Sequence, residues 1–147
     1  MRLVWFKILA GSLLAGLSSI QPAVAHDDQV SYSHKLVIQV STADTDIQKR
    51  VLNEAAYLKR VLNNNIDISV VAYGPGVALL TKASYHTNQI RSLMLQGATF
   101  YACDTTLKNS MANKGRELEL LHGVSVIANG FKQIMELQNQ GYAYLLP

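Results

Sequence analysis

Cys103 is the only thiol in the 147-residue chain. It stands in Phe100-Tyr101-Ala102-Cys103-Asp104-Thr105-Thr106-Leu107, where an apolar, strand-like run stops and a helix-start signal begins. A lone thiol closes no disulfide within its own chain. It is either a small buried hydrophobe or a group kept for chemistry with another molecule. Its position before a helix would suit chemistry. The dipole and free N–H groups of a helix start favour an anion, lower the thiol pKa and raise the thiolate fraction. Asp104 would act in the opposite sense if its carboxylate pointed at the sulfur. Gly74-Pro75-Gly76 is the second candidate, a glycine pair able to cradle an anion. It lacks the spacing of the nucleotide-binding glycine motifs, and such a segment is more often just a tight turn. His34, His86 and His122 show no metal-ligand spacing with one another or with Cys103, so no metal site and no cofactor are expected. A Cys-His nucleophile pair would require the fold to bring His86 or His122 beside Cys103. No Ser-His-Asp or paired-carboxylate signature stands out. The absence of a C-x-x-C pair weakens an exported dithiol redox reading.

These residues need elements to hold them. Lys35-Leu36-Val37-Ile38-Gln39-Val40 reads as a strand buried on both faces. Ser41 to Asp46 is rich in helix N-caps. Ile47, Val51, Ala55, Leu58 and Leu62 then recur as one stripe of an amphipathic helix ended by Asn63-Asn64-Asn65. Lys49, Arg50, Lys59 and Arg60 lie off that stripe and read as a solvated face. Ile66 to Tyr73 is a second strand, turned sharply by Gly74-Pro75-Gly76, with a short helical turn at Val77 to Leu80. A helix is expected over Thr87 to Gln96, with Gly97 as its stop. Ala98 to Cys103 is a third strand. Asp104 or Thr105 is expected to cap a helix ending near Lys114-Gly115. Val124 to Ile127 is a fourth strand. Asn129-Gly130 leads to a helix carrying Phe131, Ile134, Met135 and Leu137, and Tyr142 to Leu146 makes a fifth strand. Strands alternating with helices predict a three-layer α/β/α domain with a mainly parallel sheet of about five strands. In such sheets sites gather at the carboxyl ends of the strands. Ser41 to Asp44, Gly74 to Gly76, and Cys103 to Thr106 should therefore converge.

The beginning of the chain reads as an export signal. Arg2 and Lys7 precede an uncharged apolar run, Ile8 to Ile20. Gln21-Pro22 breaks the run, and Ala23-Val24-Ala25 supplies a small-residue cleavage site. The run is short for a membrane span, which needs about 20 apolar residues. We expect cleavage after Ala25, a flexible arm over 26–34 and one domain over 35–147, periplasmic or secreted, with no membrane attachment after cleavage. Thirteen basic against ten acidic residues give a formal charge of +3, and Arg2 and Lys7 would leave with the signal. The remainder is nearly neutral and shows no basic run with interleaved aromatics, so nucleic acid is not an expected partner.

Three segments together are similar to the DsrE/DsrF-like family. They are Val70-Val71-Ala72-Tyr73-Gly74-Pro75-Gly76-Val77-Ala78-Leu79-Leu80, Phe100-Tyr101-Ala102-Cys103 with Thr106-Leu107, and Asn129-Gly130-Phe131 through Gln138-Asn139-Gln140-Gly141-Tyr142-Ala143-Tyr144. The resemblance spans about Lys35 to Pro147. It implies an α/β/α domain with a five-stranded parallel sheet and a homo-oligomer, trimer or hexamer. In the sulfur-trafficking branch it implies that the cysteine matching Cys103 carries sulfane sulfur as a persulfide, exchanged with a donor or acceptor protein. Export departs from the mostly cytoplasmic relatives. The expectation is a periplasmic sulfur carrier or sulfurtransferase-like protein. Cys103 would be the catalytic residue, and Gly74, Pro75, Gly76, Asp104 and Thr105 would line the substrate site. The alternative is a non-catalytic oligomeric binding or assembly module of the same fold, with Cys103 merely packed.

Overall fold

The computed structural model describes residues 32–115 and 117–147. The proposed signal, its cleavage site and most of the proposed arm lie outside the described residues. Strands β1 (His34–Val40), β2 (Ile66–Ala72), β3 (Thr99–Cys103), β4 (Ser125–Ile127) and β5 (Ala143–Leu145) form one sheet in the order β4-β3-β2-β1-β5. Every pairing in it is parallel. The helices α1 (Thr45–Val61), α2 (Thr87–Leu95), α3 (Asp104–Lys114) and α4 (Gly130–Asn139) supply the crossovers, with a 3-10 helix over Gly74–Leu80. No helix among the described residues is long and apolar enough to cross a membrane.

The pleat sends alternate residues to opposite faces, and each face builds its own core. Ile38, Val40, Ile68, Val70, Phe100 and Ala102 pack with α1, α2, the 3-10 helix and, more loosely, Leu107 of α3. On the other face Val37 and Val71 meet Ile134 and Leu137 of α4, with Tyr73, Tyr101, Ile127 and Tyr142 around them. The first core is the larger because three crossovers run over it, whereas α4 alone covers the second. This is the three-layer α/β/α arrangement expected from the alternation of elements.

The local signals work as their chemistry dictates. Asp44 caps α1, its carboxylate accepting from the backbone N–H groups of Asp46 and Ile47. Gly97 takes φ +80° beyond α2, as its place after the last apolar turn suggests.

Several expectations need correction. Lys59 does not lie on a solvated face. It is 0% exposed, and its ammonium donates to the Ile66 carbonyl at 2.8 Å. The buried face of α1 includes Gln48, Leu52 and Lys59 as well as Val51 and Ala55. Burial lowers the Lys59 pKa, and the nearby Asp67 charge opposes this. β1 is buried on both faces only over its C-terminal half. The proposed arm ends one residue early, since His34 opens β1. Ser33, also placed in that arm, is fastened by paired hydrogen bonds with Asn65 at 3.1 and 2.7 Å. Phe131 and Met135 are 60% and 64% exposed, so α4 buries Ile134 and Leu137 and turns the other two outward.

Tyrosines tie the α4 face together. The Tyr142 hydroxyl donates to Asp67 across β1, and the Tyr144 hydroxyl donates to Gln39 at 2.7 Å. Burial and then the Asp67 carboxylate push the Tyr142 phenol well up. Tyr101 is raised by burial and Asp67, and Tyr73 is raised chiefly by burial. The folded state therefore holds these protons after the unfolded chain has begun to lose them. Their stabilisation is fully present below the ordinary phenol value of 10.0 and is lost as pH rises through the folded values. Chemical denaturation should show stability falling above about pH 10, and Tyr142→Phe should make that fall shallower. An equally steep fall in the variant would count against the assignment.

Candidate functional site

The carboxyl ends of β1, β2 and β3 all open on one end of the sheet. Cys103 is the last residue of β3 and itself the N-cap of α3, with extended backbone angles (φ −77°, ψ 117°). This corrects the expectation that Asp104 or Thr105 caps the helix. The helix begins one residue sooner because the strand ends directly into it. Cys103 follows Tyr101 by two, so it shares the α4 face of the sheet, and its register partner on β4 is Ile127.

The thiol is 4% exposed but packs in neither apolar cluster. Its surroundings are polar donors. Burial pushes the thiol up. Against this act the N–H and hydroxyl of Thr106, the N–H of Gly130 and the N–H of Thr105, and the thiol comes out below its ordinary value. These groups surround the sulfur without any one closing a formal capping bond to it. Two helix starts meet here, because Gly130 is the first residue of α4, whose Asn129 cap accepts from the Lys132 N–H at 3.0 Å. Both dipoles present their positive ends to the same atom.

Thr106 links the sulfur to the glycine segment. Its hydroxyl accepts from the Gly74 N–H at 2.9 Å, which leaves its own proton for the sulfur. Thr105 reaches the other way, its hydroxyl donating to the Ala128 carbonyl at 3.0 Å and holding the α4 loop beside α3. Asp104 turns away to Lys108 at 2.6 Å and is not among the groups that shift the thiol. Gly130 is required by close packing, since a Cβ there would lie 2.9 Å from the Tyr73 ring. That ring in turn meets Phe131, centroid to centroid, at 4.6 Å.

The glycine segment divides by role. Gly74 (φ +52°) begins the 3-10 helix, so the expected sharp turn is the first part of a longer helical segment. Gly74 and Pro75 line a cleft of about 830 Å³, whereas Gly76 is buried against the end of β1 and is absent from that lining. Thr106 and the α3 residues Asn109, Ser110 and Asn113 form one wall, and His86 belongs to the lining. Cys103 and Thr105 are absent from it. His86 Nε2 is buried and has no hydrogen-bond partner among the described residues. His122 is exposed, and neither histidine is among the groups acting on the thiol. No group of three or more His, Cys, Asp or Glu side chains able to hold a metal occurs among the described residues.

Of the residues the sequence singles out, Thr105 lies beside Cys103 and Gly74 is joined to it through Thr106, whereas the contributions of Thr106, Gly130 and Tyr73 are not anticipated. Thr106 was legible in principle. A residue three after an N-cap faces back toward it, as in a capping box. Gly130 and Tyr73 carried no such local signal.

Residues 34–147 match the DsrE/DsrF-like family. A protein of unknown function from Methanobacterium thermoautotrophicum has a similar structure, with a TM-score of 0.64 and 30% identity, covering 78% of this chain and 99% of that one. A conserved protein of unknown function from Bacteroides thetaiotaomicron, at 20% identity and TM-score 0.56, covers 82% of this chain and 100% of that one and shares the fold. No curated protein matches the chain. With 34–147 matched, and with the five-stranded parallel sheet those residues form, the chain belongs to the DsrE/DsrF-like family.

Proposed function

We propose that the protein is an exported sulfur carrier or sulfurtransferase-like protein in which Cys103 accepts sulfane sulfur as a persulfide. The observation that carries this reading is the ring of donors from two helix starts and Thr106 around a thiol outside both apolar clusters. A thiolate is the nucleophile, and donors that lower the thiol pKa raise its population near neutral pH. The same donors suit the anion of a persulfide.

The step balances without an outside oxidant. The Cys103 thiolate attacks the outer sulfur of a donor R–S–SH. A bond forms between Sγ and that sulfur, and the donor S–S bond breaks. The donor leaves as thiolate RS⁻, and the terminal proton stays on the transferred sulfur or passes to solvent. Handing the sulfur on is the same exchange in reverse toward an acceptor thiol.

The assembly-module alternative draws on the burial of Cys103 and on the exposed Phe131 and Met135, which would suit contact with a further copy. Intact-mass measurement decides between them. The protein offered inorganic polysulfide should gain the mass of one sulfur atom on Cys103, and Cys103→Ser should gain none. The same spectrum should show a chain beginning at His26 when the protein is taken from its own periplasm. A protein that never acquires sulfur would leave assembly as the better account.

A further inference from the structure

The cleft beside Thr106 has no part in the chemistry of Cys103 as described above, yet it opens at the carboxyl end of the sheet, where open α/β folds bind ligands. Its volume of about 830 Å³ lies in the range of small-molecule sites. Its wall on α3 is unusual for a crossover helix. None of the residues described in α3 is fully buried, and Asn109, Ser110 and Asn113 turn toward the cleft without a side-chain hydrogen bond to another described residue. Gln48 adds a third amide, already donating to the Thr42 carbonyl at 2.8 Å. His86, at the start of α2, also lines the cleft, and its Nε2 is buried with no hydrogen-bond partner among the described residues.

Charge narrows the ligand. Among the described residues the only lysine or arginine lining the cleft is Lys82, and it is paired with Glu119 at 2.9 Å. A phosphorylated ligand would find no free cation there, whereas amides and hydroxyls match the N–H and C=O groups of a peptide. Gly74 and Thr106 line the cleft and, through the 2.9 Å bond between them, also set the environment of the sulfur.

We infer that the amide-lined cleft binds the body of a small peptide-like thiol, uncharged where it meets α3, whose persulfide is the low-molecular-weight donor to Cys103. This deepens the carrier reading and rests on it for the transfer step. Transfer follows the balance given above, with RS⁻ the peptide thiolate.

The test compares two donors. One is the persulfide of N-acetyl-cysteinyl-glycine amide, an uncharged dipeptide thiol. The other is inorganic polysulfide, which has no amide body. Loading of Cys103 by the dipeptide persulfide should saturate. Asn109→Leu with Asn113→Leu should raise its half-saturation concentration about tenfold, the loss of one or two hydrogen bonds, and leave polysulfide loading unchanged. Loading that rises linearly with donor, or variants that affect both donors equally, would overturn the inference. A second arm needs no transfer and uses Cys103→Ser with the unmodified dipeptide thiol. Saturable NMR shifts at Asn109, Ser110 and Asn113 support the cleft, and their absence overturns it. If wild-type protein takes sulfur from neither donor, the carrier reading fails, and this second arm still decides the cleft.

Discussion

Gly76→Ala is expected to destabilise the domain severely. A Cβ at Gly76 would lie 2.1 Å from the Val40 carbonyl oxygen, 2.6 Å from its carbon and 2.9 Å from the Ser41 nitrogen. All three are backbone atoms at the end of a central strand, so no side chain can swing aside. The same Val40 oxygen accepts from the Tyr73 N–H at 3.1 Å, and moving it strains that bond. Overpacking a core costs about 1–3 kcal/mol and sometimes more. A weakened backbone bond adds about 1 kcal/mol. Against a total stability of about 5–15 kcal/mol, thermal denaturation should show a melting temperature lower by roughly 10–20 °C, or protein that does not accumulate. Gly115→Ala is the control. It has a positive φ of 59° but nothing among the described residues within 4 Å of its Cβ position, and should cost only about 1–2 kcal/mol. Equal losses at the two sites would refute the packing argument. Because Gly74 of the same 3-10 segment donates to the Thr106 hydroxyl beside the sulfur, soluble Gly76→Ala protein should also show an altered thiol.

The second large effect is expected at Cys103. In the folded protein a small alkylating reagent should react near neutral pH, with a midpoint below that of an ordinary thiol, while a bulky reagent is slow because only 4% of the residue is exposed. Cys103→Ser should abolish the reaction. Thr106→Val removes a hydroxyl donor and keeps the shape. A hydrogen bond to a charged group contributes about 1.5 kcal/mol or more, so the thiolate fraction and the rate near neutral pH should drop about tenfold or more. The sign for stability follows from linkage. A thiol lowered on folding adds stability above the unfolded value of 9.0, and this is lost as pH falls through the folded value. Cys103→Ser should lack that contribution. Reaction with the small reagent only after denaturation, or a Thr106→Val rate equal to wild type, would sink the thiolate assignment and with it the carrier reading.

What the chain determined by itself was local. The run Phe100 to Cys103 had to be a strand because it is short, apolar and followed by capping residues. Asn129-Gly130 had to start a helix because an asparagine side chain takes up a free N–H and the apolar residues behind it keep helical spacing. The alternation of such segments implies parallel crossovers, and parallel crossovers bring strand ends together. That reasoning reached the fold and Cys103, since periodicity and capping act over a few residues. What only the tertiary structure decided depends on register between distant segments. The burial of Lys59 needs Ile66 to present its carbonyl at the start of β2. The Thr106 hydroxyl becomes a thiol donor because Gly74 occupies its acceptor side. The Gly130 N–H reaches the sulfur because the last crossover returns over the opposite face and starts α4 above β3. Gly76 is confined by the end of a strand that precedes it by a whole helix and strand. None of these has a sequence period, because each is set by how two separately formed elements dock.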